Sequence, residues 1–267
     1  MTNRLHPIIL QKQREVIALK SCLRNQPSHP IHAILQGNIK RHLKKSFKNS
    51  LMVNVLSIIA EIKRKSPSKG TLTTIADPMV LANTYVAGEA SALSILTDET
   101  FFGGTLEDLT QVAIEIKDKP QPILRKDFII DEIQIAESIE AGADAILCIV
   151  AVLGNRLKNI LLAAAEMDID VLVEVHNHQE LEIALESGAE IIGVNNRNLN
   201  TFALDTDRAF KLLEEIPKEI IRVAESGILI PELAQSYHKA GFNAVLIGEA
   251  LVKANDPADF MRACRDV

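Results

Sequence analysis

Residues 56–70 read LSIIAEIKRKSPSKG. The apolar, β-branched start reads as a buried strand. It runs directly into Glu61, Lys63, Arg64 and Lys65, then into a Ser-Pro-Ser-Lys-Gly turn. That turn separates two fold classes. An open doubly wound sheet calls for a glycine-rich phosphate turn after its first strand, and RKSPSKG lacks the G-x-G-x-x-G spacing. A (β/α)8 barrel asks instead for functional polar residues at the C-terminal ends of its strands, which this stretch supplies. Glu61 and Lys63 are two apart on a strand and so share one face.

Further apolar runs follow at 91–98, 122–128, 144–150, 170–176, 190–196, 219–227 and 243–249. Between them lie helical patterns such as PMVLANTYVAG, TLEDLTQVAIEIK, EIQIAESIEAG and QELEIALESG. Gly88, Gly142, Gly188 and Gly241 stand where helices would be capped before turning back into strands. Strand and helix alternating in this way predict a (β/α)8 TIM barrel over residues 51–267. Residues 1–50 form an N-terminal helical extension of the same domain, with helical patterns at 7–23 and 32–47. Its basic run KRHLKKSFK at 40–48 reads first as a solvated helix face. The extension is also expected to cap the barrel or lean over its mouth.

The chain has 267 residues, 47% of them hydrophobic, enough for one large core. A formal charge of -6 argues against nucleic acid as a partner, while a local basic patch can still hold a small anion. Cys22, Cys148 and Cys264 are far apart and lack metal-ligand spacing, as expected of thiols in a reducing compartment. The first 20 residues lack the apolar core of a secretory signal. The apolar run AILCIVAVL is much shorter than the roughly 20 residues of a membrane span. A cytoplasmic protein is expected.

Polar residues at the strand ends are Glu61, Lys63, Thr97, Lys126, Glu174, Asn195, Arg197 and Ser226. Any one of them has an ordinary explanation. Lys126-Asp127 reads as a surface pair, NNRN as an Asn-rich turn, and His176 and His178 as polar residues at a helix start. Glu174 is less ordinary, because an acid inside VLVEV must be paired or functional. Arg197 and Asn195 suit recognition of a carboxylate. Ser226-Gly227 and Gly248 let backbone N–H groups approach a ligand, and phosphate is the recurrent ligand after the last two barrel strands. Two lysines at one mouth are expected to disfavour each other's charge and so ease proton donation.

AEIKRKSPSKG, SILTDETFFGG, PILRKDFI, LVEVH, IGVNNRNL, VAESGI and VLIGEAL, in that order, resemble the indole-3-glycerol phosphate synthase family from about Leu56 to Pro257. The resemblance implies a cofactor-free, metal-free lyase of tryptophan biosynthesis. Its small-molecule substrate would be a phosphorylated ribulose–anthranilate adduct, and other enzymes of the pathway stand as candidate partners. By motif, Lys126 is the general acid and Glu174 stabilises the developing cation. Glu61 and Lys63 serve the dehydration, while Asn195 and Ser226 position substrate and side chains. Arg197 orients that group, and Phe102 and Leu199 pack on the anthranilate ring. Ser66, Gly227, Gly248 and Glu249 lie where phosphate binds. The chain departs from the family at Ile133, where a tyrosine is common, and in AVLGNRL after the fourth strand. Two other readings are a barrel of different chemistry, either a sugar-phosphate isomerase or an aldolase using Lys126 as a Schiff base, and a non-catalytic subunit docking through its basic N-terminus.

Overall fold

The computed structural model describes residues 4–38, 45–63, 65–66, 70–71, 77–199 and 201–266, with backbone alone at 65, 66 and 71. Eight parallel strands close into a barrel. They are β1 (Ser57–Ile62), β2 (Ala92–Leu96), β3 (Ile123–Lys126), β4 (Ala145–Ile149), β5 (Asp170–Val175), β6 (Ile191–Asn195), β7 (Ile221–Glu225) and β8 (Ala244–Ile247). Each pairs with its sequence neighbours, and β8 returns to β1 with Ser57 opposite Ala244 and Ala60 opposite Ile247. A short two-stranded ribbon, Lys65–Ser66 with Gly70–Thr71, follows β1.

Alternation along the strands sorts the side chains into two cores. Ile58, Ala60, Leu93, Ile146, Val173 and Val245 face outward into the layer beneath the helices. Ile59, Leu124, Leu147, Leu172, Ile191, Val223 and Leu246 fill the barrel interior. Continuing that inward parity by two residues gives Glu61, Lys126, Ile149, Glu174, Gly193, Glu225 and Gly248. The apolar filling therefore ends in a charged upper layer.

The extension reaches both ends of the barrel. Helix α1 (Leu5–Arg24) lies over the mouth, with Arg4 stacked 5.0 Å from the Phe202 ring and Ile8 buried against the interior cluster. Helix α2 (Pro30–Leu35) packs on the helix Glu132–Glu140. Helix α3 (Phe47–Ser50) closes the floor with Phe47 and Leu51, both fully buried. The predicted helix over 32–47 is thus corrected: α2 stops at Leu35, and Gly37 turns the chain at φ +67°. The basic run differs too where it is described. Lys45 Nζ donates to the carbonyls of Ile116 and Gln121, and Lys48 pairs with Glu190, so these cations anchor the floor. Residues 40–44 of that run lie outside the described residues. Gly88 stands at the helix C-cap, as expected. It caps its helix at φ −80°, Glu89 takes the left-handed turn at φ 59°, and a Cβ on Gly88 would meet Met261 Cε at 2.4 Å.

Candidate active site

The strands converge on a cleft of about 1150 Å³, counting its solvent-open mouth. Its walls include Glu61, Lys63, Phe102, Lys126, Glu174, Asn195, Arg197, Leu199, Ser226, Gly227, Gly248 and Glu249. The site residues expected from the sequence are therefore brought together except Thr97, which is not in the cleft wall and donates to Asp127, and Ser66, whose side chain lies outside the described residues, as does most of RKSPSKG.

Lys126 is the hub. Its Nζ donates to Glu174 Oε2 and to Glu225 Oε2, each at 3.1 Å. Glu225 is not among the strand-end residues read from the sequence. It precedes the Ser-Gly turn that drew attention in VAESGI, yet counting by twos from Ile221 and Val223 selects it as inward-facing.

The electrostatics overturn one expectation. Burial would lower the Lys126 pKa, but Glu225 and Glu174, with Glu61 nearby, outweigh it and hold the group well above its usual value. Carboxylates, not a second lysine, set its acidity. Burial likewise acts against ionisation of Glu174, yet Lys126, His176 and Asn195 overcome it and hold its carboxyl well below the usual range. Glu225 goes the other way. Burial dominates, Glu174 adds repulsion, and Lys126 only partly offsets them, so its pKa rises to about 7. The two acids that share one lysine are therefore unlike.

Among the described residues, Glu61 Oε2, Glu174 Oε1 and Glu225 Oε1 are buried without a hydrogen-bond donor. Glu174 Oε1 still has an ionic contact with His176 Nε2 at 3.2 Å, whereas leaving the other two oxygens unpaired is costly. Lys63 Nζ sits 3.4 Å from Glu61 Oε1 and 6.0 Å from the centre of the Phe102 ring. Phe102 also meets Phe128, with ring centres 6.1 Å apart, and Leu199 packs against the same cluster, forming an apolar side to the cleft.

After β6, Asn195 Oδ1 accepts from the Arg197 backbone N–H at 2.9 Å, and Arg197 Nη1 donates to the Phe202 carbonyl at 3.2 Å. Arg197 thus shapes the turn carrying Leu199. After β7, Ser226 and Gly227 adopt consecutive left-handed conformations, φ 66° and 81°. Asn196 Nδ2 holds the Ser226 carbonyl at 3.1 Å, and Leu204 presses on Gly227 where a Cβ would sit 2.8 Å away. After β8, a Cβ on Gly248 would lie 2.6 Å from Glu61 Oε1, so a larger residue there would displace the Glu61 carboxylate. The helix Glu249–Lys253 starts there without a side-chain cap, and the Glu249 carboxylate turns along the helix to Lys253 at 2.7 Å. Ile133, at the position where the family often has tyrosine, is buried away from the cleft, whereas Leu147 and Ile149 of β4 line it.

The two histidines separate. His178 is exposed and pairs with Glu215 at 2.7 Å. His176 is buried beside Glu174 and is no ordinary helix-start residue. Among the described residues no cluster of His, Cys, Asp and Glu is placed to hold a metal, and no helix is long and apolar enough to cross a membrane.

A closed parallel barrel whose C-terminal mouth gathers a lysine, several carboxylates and backbone donors after β7 and β8 is a (β/α)8-barrel enzyme. Its fold alone is shared widely. The 3-hexulose-6-phosphate synthase of Salmonella typhimurium superposes with a TM-score of 0.63 at 17% identity, covering 79% of this chain and 97% of that one. Sequence narrows the class. The family model for indole-3-glycerol phosphate synthase matches residues 5–264. The indole-3-glycerol phosphate synthase of Caldanaerobacter subterraneus subsp. tengcongensis is 46% identical over 82% of this chain and 84% of its own. That of Opitutus terrae is 42% identical over 97% of each. The chain belongs to the indole-3-glycerol phosphate synthase family.

Proposed function

We propose that this enzyme closes the indole ring. It would convert 1-(2-carboxyphenylamino)-1-deoxyribulose 5-phosphate into indole-3-glycerol phosphate, carbon dioxide and water, the carboxy-lyase step of tryptophan biosynthesis. The observation that carries the reading is the Lys126 ammonium held at 3.1 Å from two buried carboxylates in the mouth.

In this reading Lys126 donates a proton to the ketone oxygen. The ring carbon bearing the carboxylate then attacks the ketone carbon, and that carbon afterwards loses carbon dioxide. A raised lysine pKa suits this step better than it first suggests. Proton donation moves positive charge from Nζ onto the substrate, inside the same cage of Glu174, Glu225 and Glu61, so the cage stabilises the charge before and after transfer. Glu174 faces the iminium-like cation. Glu61 and Lys63 handle the final loss of hydroxide as water. Phe102 and Leu199 take the aromatic ring, and Arg197 and Asn195 hold the loop against it. The phosphate is assigned to Ser66 and the N–H groups of Gly227, Gly248 and Glu249, with Ser226 positioning the substrate, supported by the left-handed pair after β7 and the uncapped helix start after β8.

The same cage argues against the aldolase alternative. A Schiff-base lysine must shed its proton in an apolar pocket, and the carboxylates around Lys126 oppose that. A cytoplasmic setting and pathway enzymes as partners remain part of this proposal. Mixing the protein with the carboxyphenylamino substrate should give a saturable rise of indole fluorescence. The chain has no Trp and two Tyr, so the product should stand out. Tight binding without any rise would refute the lyase reading.

A further inference from the structure

Glu174 and Glu225 stand at equal distance from Lys126, so the lysine alone gives neither acid a preference. What differs is the far side of each carboxylate. Behind Glu225 there is no donor: Oε1 packs on Gly193, where a Cβ would lie 2.0 Å away, and it has no hydrogen-bond partner among the described residues. Behind Glu174 stands His176, its Nε2 3.2 Å from Glu174 Oε1, an ionic contact outside hydrogen-bond alignment. His176 Nδ1 meets Glu180 Oε2 at 2.9 Å. Glu180 is itself fixed by the His176 backbone N–H at 2.8 Å and by Asn177 Nδ2 at 2.7 Å. An imidazole with a carboxylate at each nitrogen is most stable with both nitrogens protonated.

We infer that His176 is a positioning residue that sets the division of labour in the active site. As an imidazolium clamped by Glu180, it keeps Glu174 as the carboxylate facing Lys126 and leaves Glu225 as the member of the pair that takes up a proton. This rests on the lyase reading for its catalytic meaning, though not for its electrostatics.

The surroundings agree. Burial opposes charge on His176, but Glu174 and Glu180 outweigh it and carry its pKa to about 9. Lys126 bonds Glu174 Oε2, while His176 faces Oε1 of the same carboxylate. From the segment after β4, Arg156 is engaged by the Ile130 and Val152 carbonyls, and from the helix after β6, Arg208 by the Asn195 carbonyl. Asn195 adds a neutral amide on the Glu174 side.

The test uses the full chain labelled with 15N-histidine and 13Cδ-glutamate, Glu174 and Glu225 being assigned with Glu174→Gln and Glu225→Gln. In the wild type the His176 ring should be doubly protonated at pH 7.5, with Glu174 ionised and Glu225 titrating near neutrality. In His176→Gln the proton should be shared, so that at pH 6 up to about half of Glu174 is neutral. The ratio of kcat/KM at pH 8.5 to that at pH 6 should then rise at least twofold over wild type, through kcat with KM little changed. Glu180→Gln should move both readouts the same way by less, and serves if His176→Gln does not fold. A neutral His176 ring at pH 7.5, or Glu174 still fully ionised at pH 6 in both variants, overturns the inference. The spectra need no turnover, so a wild type without lyase activity would sink the reaction while leaving this question decided.

Discussion

Lys12 Nζ, on the helix lying over the mouth, stands 2.8 Å from Asp127 Oδ1, the residue next to Lys126. The same ammonium reaches Asp98 at 3.2 Å, and Asp98 caps the helix that carries Phe102. Asp127 also takes Arg125 at 3.0 Å and Thr97 at 2.7 Å, and its pKa falls to about 2 because Arg125 and Lys12 outweigh its burial. One buried cation therefore ties the ends of β2 and β3. Lys12→Met would leave two carboxylates facing each other without it, at a cost of about 3–5 kcal/mol. Urea unfolding should show that loss, and an unchanged midpoint would mean that the Lys12 ion pairs contribute no net stability.

Lys126→Met tests the proposed general acid. A positioned acid contributes roughly 10²–10⁴ in rate, so kcat should fall by that order while inhibition by inorganic phosphate stays near wild type. Turnover close to wild type would remove Lys126 from the role.

Ser226 occupies a left-handed conformation that serine adopts at a cost. Ser226→Gly should raise stability by about 1 kcal/mol and weaken substrate binding through loss of the hydroxyl. Differential scanning calorimetry and KM read the two arms. A less stable variant would show that the hydroxyl holds the turn.

His176 couples stability to pH. Its pKa lies near 9 in the fold against about 6.5 unfolded, so the native state binds more protons between those values. The stabilisation is complete below pH 6.5 and disappears as pH rises through 9, up to about 3 kcal/mol. Tm should therefore decline across this window in the wild type, and less steeply in His176→Gln. Parallel curves would contradict the assignment.

The barrel was readable because its strands are apolar and evenly alternated with helices, and because a charge that breaks such a run must be explained. Glu61, Lys126, Glu174 and Asn195 stand out for that reason. Glu225 obeys the same parity but sits against a small-residue turn that offered a competing explanation. Lys12 had no local mark, and His176 reads locally as a polar residue at a helix start. Lys12 is defined by partners on strands far along the chain, and His176 by a carboxylate one helical turn later and another behind it. The helix read over 32–47 stops at Leu35 because Gly37 turns the chain, although the apolar spacing continues across that glycine.

The seam between β1 and β8 has a consequence for biosynthesis. Glu61 meets Gly248 only when the first and last strands of the barrel pair, and such a distant contact forms slowly because its loop must close first. On the ribosome, Lys126 and Glu174 emerge well before Gly248, yet the cleft that unites them is incomplete until β8 docks. A nascent chain arrested before Ala244 should accordingly expose an open barrel edge, making chaperone capture rather than chemistry its first fate.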